Sequence, residues 1–167
     1  MFVTTPAVDL GFILKKISNS NSVEYNFSMN NFDDRLKLQK IIYIIQSFGV
    51  YLGYDFSYYL RGPYCSKLAQ MGFELTEVYG EVEDKKGRLF RDDKIEHQFK
   101  QSVKLIQELR NMDNWEIAAS LHLLNHSENL DQKKAVNAVI HKEGTNFSKE
   151  QCDKIWKKLE KLKLVMQ

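Results

Sequence analysis

Apolar residues recur at helical spacing from the start of the chain. Leu10, Ile13, Leu14 and Ile17 lie three or four positions apart, which predicts one apolar stripe along a first helix. Thr5-Pro6 precedes this stripe. Because Thr is a favoured N-cap and Pro fits the first helical position, we expect the helix to begin there and to end in the polar run after residue 17.

A second segment is apolar on nearly every side. The segment starts at Asn31 or Asp33. Over residues 34–51, apolar residues cover one main face of the predicted helix and much of the rest of its surface. A helix that is apolar all round is a buried helix. We therefore predict a central helix over residues 34–51, around which the other elements pack.

The middle of the chain alternates between extended and helical patterns. Residues 55–61 are short and aromatic and predict a strand or extended segment that ends at Gly62-Pro63. Helices are expected over residues 66–79 and 93–112, the second with a capping-box-like start at Asp93 and Glu96. Between them, the alternating charges of residues 81–91 suggest a small β-hairpin.

Three short amphipathic segments complete the chain, near residues 115–126, 131–142 and 148–163. Their lengths and short connections resemble a helix-turn-helix core, with the third segment as the recognition helix. We predict a mainly α protein with a minor β-hairpin. We expect a single domain, residues 1–167, in which a helical lobe (1–112) packs on a winged-helix-like unit (113–167). If the unit has a wing, residues 81–91 would form it.

Composition excludes several classes of protein. The chain is 43% hydrophobic and carries a net charge of only +2, so neither disorder nor a strongly basic nucleic-acid binder is indicated. The two cysteines, Cys65 and Cys152, show no C-x-x-C spacing, which favours buried thiols over a disulfide framework. The N-terminus has no signal-peptide pattern, and the apolar run from Ile41 to Leu52 is too short to span a bilayer. We expect a cytoplasmic protein without a membrane partner.

Positive charge is concentrated near the C-terminus. Residues 131–163 contain nine Lys and five acids, a net charge of +4 that leaves −2 for the remainder. Lysines position proteins on DNA phosphates, so this face is a candidate contact to double-stranded DNA. An ordinary solvated surface is the alternative, since the stretch lacks Arg, the usual reader of guanine. The candidate residues are Lys133, Lys134, Lys149, Lys154, Lys157, Lys158 and Lys161.

No catalytic or cofactor motif stands out. His122 and His126 are four residues apart on a predicted helix, but the zinc-protease glutamate is missing and no third ligand lies nearby. Cys65 lies near a helix start without a neighbouring base, so capping or packing is the simpler role. The chain has no P-loop, dinucleotide glycine motif or nucleophile elbow. We predict a non-enzymatic protein with no cofactor, metal site or catalytic residues.

Several segments of the chain resemble a known family. They are Arg35-Leu36-Lys37-Leu38-Gln39-Lys40-Ile41-Ile42-Tyr43, Gly53-Tyr54-Asp55-Phe56, Tyr59-Leu60-Arg61-Gly62-Pro63-Tyr64, Ala118-Ala119-Ser120-Leu121-His122 and the closing helix up to Leu164-Val165. The resemblance is to the uncharacterised YwgA-like proteins of bacteria and archaea and, more distantly, to the Panacea (SocA-like) antitoxin domain. It implies a helical, winged-helix-like protein that acts through contacts with other macromolecules. Cys65 stands where the resemblance leads us to expect Ser, which fits a capping position.

Aromatic residues surround the Gly-Pro turn of this motif. Tyr58, Tyr59, Arg61 and Tyr64 are residue types that dominate protein interfaces, so they form a candidate partner-binding surface. Arg61 could bind a carboxylate or phosphate, or lie over a tyrosine ring. The alternative is a rigid corner of the core, because Gly62 permits an unusual backbone conformation and Pro63 restricts the chain direction.

Two functions follow from these features. The first is a winged-helix DNA-binding regulator or antitoxin-like protein, expected as a homodimer that matches two half-sites. The second is a protein-interaction adaptor in a prokaryotic toxin–antitoxin or defence complex that does not bind DNA. An enzyme whose residues meet only in the folded chain is a minor third alternative.

Overall fold

The computed structural model describes residues 6–20 and 25–167, and it confirms a mainly α protein with a minor antiparallel β-hairpin. The predicted start of the first helix at Thr5 lies outside the described residues. In chain order the elements are α1 (Pro6–Ser18), α2 (Phe32–Ser47), β1 (Ser57–Tyr59), β2 (Gly62–Tyr64), α3 (Ser66–Val78), a 3-10 turn (Tyr79–Glu81), α4 (Asp93–Leu109), α5 (Met112–Glu128), α6 (Gln132–Ile140) and α7 (Lys149–Lys161).

Helix α2 is the centre of the core, as its all-round apolar pattern predicts. Its residues from Leu38 to Ile45 are all buried, and it packs along α5 and against α3 and α4. The helix ends at Ser47 rather than at residue 51, because Gly49 adopts a φ of +88° that a continuing helix does not permit. Buried side chains from all seven described α-helices join one apolar cluster around it.

Side-chain caps fix five of the helix starts. One predicted start is shifted, because Asp92 rather than Asp93 caps α4; Asn111 caps α5. The carboxylate of Glu96 does not close a capping box, because it accepts the backbone N–H groups of Leu89 and Phe90. The five capping side chains are Asn31, Asp92, Asn111, Asp131 and Ser148.

The small sheet lies earlier in the chain than one prediction placed it. Strands β1 and β2 pair antiparallel, with Tyr58 opposite Pro63, whereas residues 81–91 contain no strand. Backbone groups in that later segment bond to side chains instead of to a neighbouring strand: Lys16 donates to the carbonyl of Lys85, and Arg88 donates to the carbonyl of Phe90. A wing from residues 81–91 is therefore wrong.

The last three helices form the predicted three-helix unit. Helices α5, α6 and α7 each pack against the other two, with residues 141–148 connecting α6 to α7. Asn125 holds the C-terminal segment against α5 through the backbone N–H and carbonyl of Met166. Within residues 25–167 no strand follows α7, so no C-terminal wing follows this three-helix unit there. None of the described helices is long and apolar enough to cross a membrane.

Candidate functional site

The first candidate site is the lysine-bearing face of α6 and α7. An open groove between these helices is lined by Lys133 and Lys134 from α6 and by Lys149 from α7. Lys149 also borders an adjoining groove along α7, together with Lys154 and Lys157. Packing of α6 against α7 therefore brings five of the predicted lysines onto two adjoining grooves.

Three lysines form a stripe along α7. Lys154, Lys157 and Lys161 are three and four residues apart, so they project from one side of the helix, and all three are exposed. The opposite side carries Ile155 and Trp156, which are buried in the core. The stripe is therefore fixed by the burial of the other half of the helix.

The other two α7 lysines are engaged in ion pairs. Lys149 Nζ lies 2.5 Å from Asp153 Oδ2 one helical turn away, and Lys158 Nζ lies 3.0 Å from Glu108 Oε2 on α4. Hydrogen bonds, first from Lys149 and then from Gln132, lower the pKa of Asp153, so its negative charge persists in the groove. Salt bridges thus reduce the contribution of Lys149 and Lys158 to the positive face.

Of the four candidate partner-binding residues, two are exposed and two point inward. Tyr59 and Tyr64 contact each other on the outer side of the hairpin, with ring centroids 5.9 Å apart. Tyr59 and the neighbouring Leu60 are 62% and 70% exposed. By contrast, Tyr58 is partly buried, and Arg61 points towards α5. The exposed apolar surface of the hairpin is therefore Tyr59, Leu60 and Tyr64.

Beneath the hairpin lies a buried charge cluster, formed by Lys40, Arg61, Glu116 and Lys142. Glu116 is fully buried in α5. Its carboxylate accepts two hydrogen bonds from the Arg61 guanidinium, 2.9 Å from Nε and 2.8 Å from Nη2. Lys142, which follows α6, approaches the same carboxylate at 3.3 Å. One carboxylate thus joins the hairpin, α5 and the α6–α7 connection.

Lys40 is the innermost cation of this cluster. It is 1% exposed, and its ammonium donates to the carbonyl of Pro63 at 2.7 Å. Burial lowers the pKa of Lys40 to about 7; Glu116 opposes the shift, and Lys142 and Arg61 add to it. The pKa of Lys142 is also lowered, again mainly by burial. The charged forms of Lys40 and Lys142 are therefore disfavoured by burial, whereas the hydrogen bond to Glu116 raises the pKa of Arg61.

Gly62 fits closely over this cluster. Its φ is +85°, and a Cβ at this position would collide with Ser120 Oγ. That point lies 3.5 Å from Lys40 Nζ and 3.6 Å from Lys142 Nζ. Both the backbone conformation and the lack of space require glycine here. The hairpin thus rests directly on two buried ammonium groups and a buried hydroxyl.

The preceding residue of α2 holds the strand that leaves the hairpin. The Gln39 side chain accepts from the backbone N–H of Cys65 and donates to its carbonyl, both at 2.9 Å. Cys65 is the N-cap residue of α3, but its thiol makes no capping hydrogen bond. Of the two predicted roles, capping and packing, the buried thiol therefore takes the second and packs in the core.

The paired histidines occupy a hydrogen-bonded aromatic environment. Tyr43 Oη lies 2.7 Å from His122 Nδ1, and the rings of His122 and His126 stack with centroids 5.3 Å apart. Burial, with a smaller contribution from His126, lowers the pKa of His122 to about 4. Among the described residues, no group of three or more His, Cys, Asp or Glu side chains is placed to hold a metal ion.

Reasoning from sequence missed the charge cluster, although signals for it were present. Lys40 is the one cation inside the apolar run from Leu38 to Ile45, and Glu116 lies between Trp115 and Ile117. Charged residues inside apolar runs are buried only with partners. The pattern could have identified each charge but not their meeting, since Lys40 and Glu116 come from different helices.

Comparisons of this chain with protein-family models, with curated proteins and with solved structures give no match. The resemblance to the YwgA-like proteins over most of residues 33–165, and the more distant one to the Panacea domain, therefore stay predictions.

Proposed function

We propose that this protein is a non-enzymatic DNA-binding regulator or antitoxin-like protein that contacts the phosphate backbone of duplex DNA through α6 and α7. The observation that carries this proposal is the set of exposed lysines around the two adjoining grooves. Lys133, Lys134, Lys154, Lys157 and Lys161 are exposed, and none of them forms a salt bridge with a residue in the ranges 6–20 and 25–167. Side chains of this kind neutralise phosphates and release condensed counterions.

The same face is poorly equipped to recognise bases. It has no Arg, whose fork-shaped guanidinium makes the commonest specific contact to guanine. Asp131, Glu150 and Asp153 also line the grooves and would repel nearby phosphates. These features favour binding that depends on the phosphate backbone and is only weakly selective for sequence.

The test is charge reversal on α7, measured by fluorescence anisotropy with a random-sequence duplex. Replacing Lys154, Lys157 and Lys161 by Glu should abolish binding while the unfolding midpoint stays within a few degrees of wild type. Lys158 is left intact, because Glu at that position would face Glu108 and destabilise the α4–α7 contact.

A matched control is available on α4. Replacing the exposed Lys94, Lys100 and Lys104 by Glu changes the net charge by the same amount at a different surface. This variant should retain most of the wild-type affinity. Equal loss in both triple variants would show that net charge alone governs binding and would contradict a site on α6 and α7.

The adaptor is a second candidate, favoured by the exposed apolar tip of the hairpin. Tyr59, Leu60 and Tyr64 stand on a hairpin whose base is held by Arg61 and Lys40, so ordering them on binding costs little entropy. Replacing Tyr59 and Leu60 by Ser should then abolish capture of a partner from the native host. Phe73→Ser, at an exposed position on α3, is the control.

The homodimer stays a proposal as well. Light scattering on the purified protein distinguishes a monomer from a dimer. A dimer would double the number of lysines presented to one duplex and would support recognition of two half-sites. A monomer would limit the protein to a single contact face.

A further inference from the structure

Strand β1 has an open edge on the side away from β2. Because Pro63 has no N–H, Tyr58 and Pro63 form the pair without mutual hydrogen bonds, and the N–H and C=O of Tyr58 point away from β2. No residue in the ranges 6–20 and 25–167 bonds to either group. On β2, by contrast, the outward carbonyl of Pro63 accepts from Lys40. The edge of the hairpin that stays open is therefore the edge of β1.

The side chains next to this edge are exposed and apolar. Tyr59 and Leu60 are mostly exposed, and Tyr64 contacts the Tyr59 ring on the outer face of the hairpin. An extended peptide that adds a strand to an open sheet edge gains affinity from backbone hydrogen bonds and specificity from alternate side chains. The edge of β1, with Tyr59 and Leu60 beside it, thus has the features of a site for strand addition.

Negative charge surrounds the turn of the hairpin. Asp113 lies one helical turn before Glu116 on the same side of α5, and Glu116 binds Arg61 of the turn. Asp33 lies two turns before Lys40 on the same side of α2. The hydrogen bond to Glu116 is the main reason that the pKa of Arg61 is raised, and the nearby Asp33 and Asp113 raise it further. The first turns of α2 and α5 therefore bring two carboxylates close to the turn.

This charge discriminates between the possible occupants of the edge. Asp33 and Asp113 are exposed, and neither forms a salt bridge within the described parts of the chain. They would repel the phosphates of a nucleic acid. In a second copy paired antiparallel about Tyr58, the exposed Asp55 would lie beside the same turn, so carboxylates would face carboxylates. A segment with basic side chains has the complementary charge.

We propose that the edge of β1 binds an extended, basic segment of another protein as an added strand. The segment pairs with the backbone of Tyr58, packs apolar side chains on Tyr59 and Leu60, and places Lys or Arg near Asp33 and Asp113. This inference rests on the adaptor candidate and names the chemistry of its partner. The lysines of α6 and α7 have no part in it.

A titration followed by the backbone amide signals in NMR tests the proposal and detects binding even at millimolar dissociation constants. The probe is the peptide GRVTVRG, which alternates small apolar or β-branched residues with arginine. It should shift the amide signals of residues 56–60, with the largest change at Tyr58. The acidic peptide GEVTVEG should not bind. The basic peptide N-methylated at its three central residues, which cannot donate to the strand edge, should not bind either.

Two double variants test the role of charge. Asp33→Asn with Asp113→Asn should raise the dissociation constant of GRVTVRG about fivefold, as expected for the loss of two exposed ion pairs. Glu74→Gln with Glu77→Gln, which makes the same chemical change at exposed positions on α3, should leave it unchanged. The amide spectrum of each variant shows directly whether the fold is kept.

Three results would overturn the proposal: absence of shifts with GRVTVRG, equal binding of the acidic or the N-methylated peptide, or equal affinity in the two double variants. Failure of the peptide, together with a host partner that is lost when Tyr59 and Leu60 are replaced by Ser, would keep the adaptor and refute a basic extended partner. A dimer that the same Ser substitutions dissociate would identify a second copy as the occupant and would also refute the proposal.

Discussion

The Glu116 carboxylate offers the sharpest test of how the hairpin is held. Replacing it by Gln removes the negative charge while nearly preserving the shape of the side chain, and it leaves Arg61, Lys142 and Lys40 without a counterion. Removing one partner of a buried pair costs about 3–5 kcal/mol. Because Arg61 is 22% exposed and can regain water, we expect a loss near the lower end, about 3 kcal/mol.

Urea denaturation followed by circular dichroism measures this loss in the free energy of unfolding. Glu108→Gln is the matched control, since it makes the same chemical change in the exposed pair with Lys158 and should cost under about 1 kcal/mol. A double-mutant cycle with Lys142→Met should show coupling of about 0.5–3 kcal/mol. If Glu116→Gln costs no more than Glu108→Gln, the cluster does not stabilise the hairpin.

Two further predictions concern the core and its dependence on pH. Trp156→Ala, at a fully buried position on α7, should lower the free energy of unfolding by about 3–5 kcal/mol in the same urea assay, and a loss below about 1 kcal/mol would contradict its burial. Lys40→Met should remove part of the pH dependence of stability. In wild type the folded state releases the Lys40 proton near pH 7, whereas the unfolded state releases it only near pH 10.5. Between these two pH values the unfolded state binds more protons. The free energy of unfolding of wild type should therefore rise relative to that of the variant as the pH is raised. If the stability of wild type and of Lys40→Met changes with pH in parallel, this assignment of the pH dependence to Lys40 is refuted.

Local patterns were sufficient to predict most of the helical architecture. Residues 66–79 and 148–163 correspond closely to α3 and α7, because apolar spacing and terminal signals such as Ser148 agree there. The hairpin predicted at 81–91 was wrong: Arg88 donates to the backbone carbonyls of Phe90 and Arg91, and Lys16 donates to the carbonyl of Lys85. No pattern in that segment distinguishes these bonds from pairing between strands.

The sequence predicted the α7 lysines but not the buried charge cluster, and the difference has a physical reason. The α7 lysines lie on one helix, so helical spacing alone places them on one face. The charge cluster depends instead on the packing of α2 against α5 and on the return of the chain after α6. Such contacts between distant segments leave only isolated charged residues, such as Lys40 and Glu116, within apolar runs.

The structure suggests why the motif of residues 35–64 has its particular residues. Gln39 holds the backbone of Cys65, Lys40 holds the carbonyl of Pro63, and Gly62 leaves room for Ser120. Each of these residues secures the hairpin on the core. The motif therefore builds a rigid support whose exposed parts are Tyr59, Leu60 and Tyr64.

The measurement that tests the proposed function most directly is the salt dependence of binding to a random-sequence duplex. The five exposed lysines outside salt bridges predict a plot of log K against log salt concentration with a slope of about −4.5. Micromolar binding with a slope near this value, and no measurable binding once Lys154, Lys157 and Lys161 are replaced by Glu, is the result we predict. Absence of binding at about 50 mM salt, where phosphate contacts are strong, would contradict the DNA-binding proposal and favour the adaptor.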